Sequence, residues 1–344
     1  MQSAAQRGMV RCSLAALFFG VSAPAASRLA DDLGAFGLAG LLYLGAALVT
    51  APSMLRTPPT RTSVRRGARR LTVAVVLGGA VGPVLLAAGL RRTSAGSASL
   101  LLNLELVFTT LVAGLLLREH IGRRIAVGTA LVAAAGALLA FDSSDVTVRW
   151  GAVLIAGACL AWAFDNTATA ALDELAPAHI TFVKGLLAGS CNLLIGVVLA
   201  ERFTTSTVLW ALAIGAIGYG ASITLWVAGA RDLGAARGQL VFATAPFIGA
   251  VVAWTAFGEH PGVWQLAAAA VAVAGVALVV NSGHEHPHTH DVTEHEHEHE
   301  HTDGHHLHEH SDGFTGRHTH RHRHDALVHA HPHLPDLHHR HDHH

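Results

Sequence analysis

The 344 residues carry a net charge of −1 at neutral pH, and 51% of them are hydrophobic while only 14% are charged. This near neutrality joins two regions: residues 1–283 hold 19 Arg and Lys against 12 Asp and Glu, and residues 284–344 hold 4 against 12. The first region is rich in Ala, Leu, Val and Gly, and the second contains 24 of the 27 histidines. The composition excludes one soluble domain and predicts a membrane body followed by a tail that cannot bury a core.

Ten apolar runs in the first region have about the 20 residues that a helix needs to cross roughly 30 Å of hydrocarbon. The predicted spans cover residues 12–30, 34–55, 71–90, 96–117, 121–141, 149–169, 179–200, 206–230, 235–257 and 261–281. They predict an all-α membrane protein with ten transmembrane helices, followed by a disordered His-rich C-terminal tail.

The first run also allows a second interpretation, a cleaved signal peptide. Arg11 precedes an apolar stretch at 14–21, and Ala23-Pro24-Ala25 resembles a small-residue cleavage site. Cleavage would leave nine spans and break a five-plus-five arrangement, so an uncleaved helix is favoured. Pro24 is then expected to kink or break that helix, which membrane helices tolerate when neighbours satisfy the freed backbone groups.

A short sequence recurs between long apolar segments. Residues 118–122 read Arg-Glu-His-Ile-Gly, and residues 258–262 read Gly-Glu-His-Pro-Gly, at a shift of 140. Duplicated helical membrane units are typical of secondary transporters, whose site lies near the midplane where the halves meet. The recurrence predicts two five-helix repeats, 1–142 and 143–282, before a tail at 283–344.

Loop arginines predict the orientation, because arginine is retained on the cytoplasmic side. With the N-terminus inside, the inner segments carry Arg7, Arg11, Arg56, Arg61, Arg65, Arg66, Arg69, Arg70, Arg118, Arg123, Arg124 and Arg231. The outer segments carry Arg91, Arg92, Arg149 and Arg202. Both termini are therefore predicted to be cytoplasmic. Five helices per repeat make the second repeat inverted, with the Glu119 turn inside and the Glu259 turn outside.

The chain resembles an EamA-type member of the drug/metabolite transporter superfamily. Each repeat has a small-residue helix, an Arg-Glu or Gly-Glu turn and a closing helix rich in Gly and Ala, most clearly over Ala98–Gly136 and Leu233–Val279. The resemblance covers about residues 10–281 and implies a transporter, commonly an exporter of metabolites or toxic compounds, with a cavity between the halves. The second repeat has Ala245-Pro246 where the family usually places a proline, whereas the first has Glu105-Leu106.

Ionisable side chains well inside predicted spans are candidates for the transport pathway, because an unpaired charge there costs at least a few kcal/mol. They are Glu105, Asp165 and Lys184, the last being the only lysine in the chain. A cavity role is favoured for Glu105, whose neighbour Asn103 falls mostly on another helix face. For Asp165 and Lys184, a buried pair that locks the sixth predicted helix to the seventh is an equal alternative.

Other polar residues are weaker candidates for the pathway. Asn166, Asn192, Tyr219 and Gln239 are each expected to tie helices together by hydrogen bonds. Arg237 is placed to attract an anionic substrate or to extend to the membrane interface. Glu119 and Glu259 are expected to brace helix turns by lying near the N-terminus of the next helix.

The sequence does not indicate an enzyme or an ATP-driven pump. It has no P-loop, no nucleophile elbow and no Gly-rich dinucleotide motif between a strand and a helix. Cys12, Cys159 and Cys191 lack CxxC spacing and are interpreted as small apolar fillers. No cofactor is required.

The tail alternates histidine with acidic and basic residues, a pattern suited to divalent Zn, Ni, Co or Cu. The densest runs contain His295, His297, His299, His301, His318, His320, His322 and His324. A disordered chain offers many degenerate pairings, so several ions are expected to bind with weak to moderate affinity, and more weakly as the imidazoles protonate. A low-complexity tail without a physiological ligand is the alternative.

Two functional classes follow. The first is a secondary transporter of a small organic solute in the bacterial inner membrane, with the tail as a regulator. The second is a divalent-metal exporter or a metal-sensing membrane protein. The scarcity of metal ligands in the body favours the first. The expected partners are the lipid bilayer, a small-molecule substrate and divalent ions on the tail, with no nucleic acid; the oligomeric state stays open.

Overall fold

In a computed structural model of the protein, the chain forms two units, Met1–Ser282 and Gly283–His344. The structure describes residues 4–116, 122–141, 146–170, 172, 175–233, 238, 241–280, 284–290, 293–299, 318–324 and 327–333. Every described helix belongs to the first unit, which we call the membrane body.

The helices of the membrane body follow the predicted repeats. Residues 1–142 contain α1 (Ala4–Arg56), α2 (Arg61–Val73), α3 (Gly82–Leu90), α4 (Ala95–Leu101), α5 (Leu104–Leu116) and α6 (Arg123–Phe141). Residues 143–282 contain α7 (Val146–Ala170), α8 (Pro177–Val198), α9 (Thr205–Gly215), α10 (Ser222–Leu233), α11 (Ala245–Thr255) and α12 (Val263–Val280). Two π-helical segments, Ala74–Val81 and Ala216–Ala221, join α2 to α3 and α9 to α10.

Seven helical segments among the described residues are long and apolar enough to cross a membrane, and two shorter apolar helices, α11 and α12, follow them. The first of the seven contains two predicted spans, and the ninth predicted span begins among residues outside those described. The membrane character is therefore established, whereas the count of ten spans stays a prediction. Large apolar side chains are exposed around the body, as a lipid-facing surface requires, among them Leu48, Leu115, Val198, Leu209 and Trp210.

The break in α1 lies at Gly34 and not at Pro24. Gly34 has φ 74° and ψ 175°, a conformation that favours glycine, and it is the non-helical position within α1. Pro24 is fully buried inside the helix. The prediction that Pro24 breaks the helix is therefore wrong, because neighbouring helices accommodate the proline.

The third predicted span also begins earlier than expected. The sequence predicted residues 71–90, but one continuous helical segment runs over Arg61–Leu90. Thr60 caps its start, since the Thr60 hydroxyl oxygen accepts a hydrogen bond from Ser63 N at 3.2 Å. Hydropathy located only the apolar part of this helix, because arginines fill its first turns.

Helix packing recurs between the repeats with exchanged roles. The first half of α1 packs against α10 and α11, and α7 packs in the same way against α3 and α5. The second half of α1 packs against α8, and α6 packs against α12. The π-helical segments and the breaks before α5 and α11 lie at nearly the shift of 140 that relates the sequence repeats. The duplication seen in sequence thus extends to local helix geometry.

The tail contains strands where the sequence predicted disorder. Its described residues form two antiparallel pairs: β1 (His284–His290) with β4 (Leu327–His333), and β2 (Thr293–His299) with β3 (His318–His324). Alternating sequence has the period of two that a strand has. A lone two-stranded ladder is only marginally stable in water, so order in solution requires measurement.

Candidate functional site

Asp165 and Lys184 form a salt bridge inside the membrane body. Lys184 Nζ on α8 donates to Asp165 Oδ2 on α7, and the two side chains are 12% and 6% exposed. Thr169 Oγ1 donates to the other carboxylate oxygen, Asp165 Oδ1, at 3.0 Å. Both oxygens of the buried carboxylate therefore have partners, which a charge in an apolar span requires. The structure brings together the pair that the sequence singled out.

The π-helical segment Ala74–Val81 meets this pair at Gly78. A Cβ atom on Gly78 would collide with the carboxylate of Asp165, so only glycine allows this approach. The Gly78 carbonyl accepts hydrogen bonds from Tyr43 Oη at 2.6 Å and from Trp162 Nε1 at 3.1 Å. Because π-helical turns displace carbonyls from the regular helix ladder, side chains can satisfy them. Three helices thereby meet at one backbone oxygen.

Glu105 lies close to the pair but on another helix. It occupies the first turn of α5, directly after the break at Leu102 and Asn103, and its side chain is half-buried. Asn166 Nδ2 on α7 donates to Glu105 Oε1 at 2.7 Å. Glu105 also interacts electrostatically with Asp165 and Lys184. The first repeat thus contributes an acid beside the charge pair of the second.

An aromatic row continues from the charged groups toward the other side of the body. The rings of Tyr43 and Tyr219 are 5.7 Å apart, and Phe19 lies 5.9 Å from Tyr219. Phe242 lies 5.4 Å from Phe19 and 5.9 Å from Trp226. Both tyrosines are buried. Tyr219, a predicted site residue, lies in the second π-helical segment, so each π-helical segment contributes to this central region.

The remaining predicted pathway residues separate into three groups. Asn103 donates to Leu100 O at 2.9 Å, within its own helical segment, and so supports the break before α5. Asn192 ties α8 to the first π-helical segment by donating to Ala80 O at 3.2 Å. Arg237 and Gln239 lie outside the described residues, as do Glu119 and His120.

Glu259 binds a helix in the other repeat. Its two carboxylate oxygens accept hydrogen bonds from Ala95 N at 2.7 Å and Gly96 N at 2.8 Å, at the start of α4. The expectation that Glu259 braces the next helix in sequence is therefore wrong. Unpaired N–H groups at a helix start attract a carboxylate from any part of the fold.

More contacts between the repeats lie at this Glu259 end of the body. Gln265 Nε2 donates to Ser94 Oγ at 3.1 Å and to Ser97 Oγ at 2.7 Å. Arg28 donates to Phe257 O at 2.9 Å and lies 4.8 Å from the centre of the Phe257 ring. These side chains join the two repeats on the side that the loop arginines assign to the outside.

Glu201 makes an equivalent contact between the repeats. Its carboxylate accepts from Gly37 N at 2.6 Å and from Phe36 N at 3.3 Å, just after the break in α1. Two carboxylates of the second repeat thus hold two helix starts of the first.

Sequence reasoning missed Tyr43, Trp162 and Gly78. A signal existed for Tyr43, because the chain has only two tyrosines and both fall in predicted spans. No sequence signal identified the Gly78 carbonyl, since its availability depends on the π-helical geometry.

Metal-ligand geometry is absent from the described residues, where no group of three or more His, Cys, Asp or Glu side chains could hold an ion. The cysteines are free, with Cys12 and Cys159 buried and Cys191 exposed. In the tail, the register sets His295 opposite His322, His297 opposite His320, and His299 opposite His318, while His301 lies outside the described residues.

Comparison with known proteins gives three likenesses. The model of the EamA-like transporter family matches residues 6–141 and 149–281. A protein of Methanothermobacter thermautotrophicus described as an uncharacterized transporter is 23% identical over 299 residues, which cover 80% of this chain and 87% of that protein. A solved crystal structure of a protein matches with a TM-score of 0.58 at 17% identity, covering 79% of this chain and 95% of that one. At this identity the structural likeness concerns the fold alone.

Proposed function

The chain belongs to the EamA-like transporter family, and we propose that it exports a small organic solute across the bacterial inner membrane by alternating access. The carrying observation is the group of charges within the membrane body, where Asp165, Lys184 and Glu105 approach one another from α7, α8 and α5. Charges in this environment are costly and occur mainly where they serve a pathway.

In this proposal the body has ten spans, arranged as two inverted five-helix repeats with both termini in the cytoplasm. The exchanged packing of the repeats and the matching π-helical segments support it. An odd number of spans per repeat makes the copies inverted, and inverted copies can exchange conformations to open the site to either side.

The Asp165–Lys184 pair and Glu105 form the substrate site in this proposal. The Lys184 ammonium can bind an anionic or carbonyl group of the solute, with Asp165 as its partner when the site is empty. Glu105 has a neutral amide, Asn166, as its hydrogen-bond partner. Its charge is therefore available to bind a proton or a cationic group, which would couple transport to a proton gradient.

The contacts at the Glu259 end close the outer side of this pathway in the present conformation. Glu259 holds the start of α4 with charge-assisted hydrogen bonds, and Arg28 and Gln265 add contacts between the repeats. In the outward-open state these bonds would break, and Glu119, which matches Glu259 at the shift of 140, would brace the equivalent helix start at the inner side.

The His-rich tail is proposed to bind divalent metal ions and to regulate the body. The cross-strand placement of histidines opposite histidines favours this role, because a pair of imidazoles suits borderline divalent ions. It also keeps a second candidate function, export of Zn, Ni or Co, as the alternative.

Three kinds of cell distinguish these functions: cells with the full chain, cells with a chain truncated after Ser282, and cells with neither. Tolerance is measured across a panel of organic solutes and of divalent metals. Solute tolerance retained by the truncated chain supports an organic substrate and a regulatory tail. Tolerance only to metals, abolished by truncation, contradicts it. In proteoliposomes, wild-type rates of the identified solute with both Glu105→Gln and Lys184→Ala would rule out the proposed site.

A further inference from the structure

The helical segment Arg61–Leu90 is longer than a bilayer core is thick. Its 30 residues extend about 45 Å at roughly 1.5 Å per residue, whereas the hydrocarbon measures about 30 Å. The apolar part, 71–90, matches the hydrocarbon. The first ten or so residues, most of α2, therefore project about 15 Å beyond it, through the headgroup layer and into water.

Arginines cover one side of this projecting helix. The exposed side chains are Arg61, Arg65, Arg66, Arg69 and Arg70. At about 100° per residue these five occupy one half of the helix circumference. Among them, Arg61, Arg65 and Arg69 form a row four residues apart, which we call the arginine row. α2 contains no acidic residue.

The opposite side of α2 fixes the direction of the arginine row. Leu71 is buried in a small apolar cluster with Leu172, Leu175 and Ile180. Gly67 is buried against Leu172, where a Cβ atom would lie 2.7 Å from Leu172 Cδ2. Since this face is anchored to the body, the arginine row must face away from it, toward lipid headgroups and water.

The arginines are also poorly placed for the helix itself. Arg61 and Arg65 lie in the first turns of α2, where the positive end of the helix dipole disfavours a cation. An external anion would relieve this repulsion. Guanidinium groups bind phosphate in a bidentate manner, and basic residues at headgroup depth attract anionic lipids.

We propose that the arginine row is a binding surface for anionic phospholipid, with Arg69 near the hydrocarbon boundary and Arg65 at the outer part of the headgroup layer. The anchored face links this lipid to the transport site. The cluster under α2 includes Ile180 and Val183 on α8, the helix that carries Lys184. Bound lipid would therefore brace the start of α8. The proposal is independent of the substrate.

The test uses the full chain in phosphatidylcholine vesicles with spin-labelled phosphatidylglycerol or phosphatidylcholine, and measures the immobilised lipid fraction by electron paramagnetic resonance. The wild type is expected to prefer phosphatidylglycerol several-fold. Arg61→Gln/Arg65→Gln/Arg69→Gln should bring this preference near parity. The matched control, Arg91→Gln/Arg92→Gln/Arg202→Gln, removes three exposed arginines at the other end and should keep it. Equal loss in both variants would overturn the proposal, as would full retention in the first.

Two further measurements keep the result clear if the glutamine variant misfolds or inserts incorrectly. Arg61→Lys/Arg65→Lys/Arg69→Lys preserves the charges that set orientation and should keep a reduced preference, because lysine cannot bind phosphate in a bidentate manner. Salt at about 0.5 M should weaken the wild-type preference. A preference insensitive to salt contradicts the proposal. Loss of the preference on adding millimolar inorganic phosphate would assign the row to a free anion instead.

Discussion

The two repeats share their packing and differ at their centre. Glu105 in the first repeat corresponds to Ala245 in the second at the shift of 140, whereas Asp165 and Lys184 in the second correspond to Ala25 and Leu44 in the first. Duplication therefore supplied the scaffold, and the charged groups arose on one copy or the other. A symmetric scaffold allows the conformations to exchange, while asymmetric side chains give one site a definite chemistry.

The π-helical segments show the same contrast. Both repeats widen the third helix, yet Gly79 in the first corresponds to Tyr219 in the second. The small residues of the first segment admit Asp165, and the tyrosine of the second contributes a ring to the aromatic row. Local helix geometry is thus common to the repeats, and the side chains decide what each geometry holds.

The largest effect is expected from removing one member of the charge pair. Asp165→Ala leaves the Lys184 ammonium buried without its partner, which should reduce the free energy of unfolding by about 3–5 kcal/mol and abolish transport. The double variant Asp165→Asn/Lys184→Gln should recover most of the stability but not transport. Thermal unfolding in detergent and uptake into proteoliposomes measure the two quantities.

This double variant decides between a structural lock and a pathway. Stability and transport that recover together would show that the pair only joins α7 to α8. Asp31→Ala serves as the control, because Asp31 pairs with Arg91 at 3.5 Å with both side chains exposed. An exposed pair contributes about 0–1 kcal/mol, so this variant should behave as wild type.

The next effect tests the acid of the first repeat. Glu105→Gln keeps the shape of the side chain and removes its charge, so stability should change little, while transport driven by a proton gradient should fall to the rate without a gradient. Uptake with and without an imposed gradient measures this. A variant that still responds fully to the gradient would remove Glu105 from the coupling mechanism.

A smaller effect is expected at the Glu259 end. Glu259→Gln weakens two charge-assisted hydrogen bonds to Ala95 N and Gly96 N, which should reduce stability by about 1–2 kcal/mol and favour the outward-open state. Labelling of a cysteine introduced at Ser97 from the outside should become faster. Glu201→Gln is the matched control for losing such a carboxylate, and equal acceleration in both variants would deny Glu259 a specific role.

The smallest effect concerns the shared carbonyl. Tyr43→Phe removes the 2.6 Å hydrogen bond to Gly78 O but leaves the donor Trp162 in place. The loss should be about 1 kcal/mol, measured as a lower unfolding temperature in detergent. Trp162→Phe should give a similar loss, and the two together should cost more than their sum because the carbonyl is then left unpaired. Strict additivity would indicate that the carbonyl has another partner.

Much of the architecture was predictable from sequence. Helix α8 runs over Pro177–Val198 where 179–200 was predicted, and α7 runs over Val146–Ala170 where 149–169 was predicted. Apolar length determines these elements, because each span must satisfy its backbone within itself. The errors lie where length is uninformative, at the break at Gly34 and at the arginine-rich start of α2.

The candidate site was predictable only in part. Charge inside an apolar span identified Glu105, Asp165 and Lys184, and the unusual single lysine pointed to the pair. Which neighbour each acid meets was not predictable, since the contact between Glu105 and Asn166 joins residues 61 positions apart in sequence.

By itself the sequence determined the membrane body, the duplication, the family and the charged residues, because hydropathy and charge act through composition and spacing. The tertiary structure decided that Glu259 holds the start of α4, that the Gly78 carbonyl receives two side chains, and that the arginine row faces away from the body. These contacts depend on how helix ends and widened turns expose backbone groups once packed, and the linear chain does not specify which distant group will satisfy them.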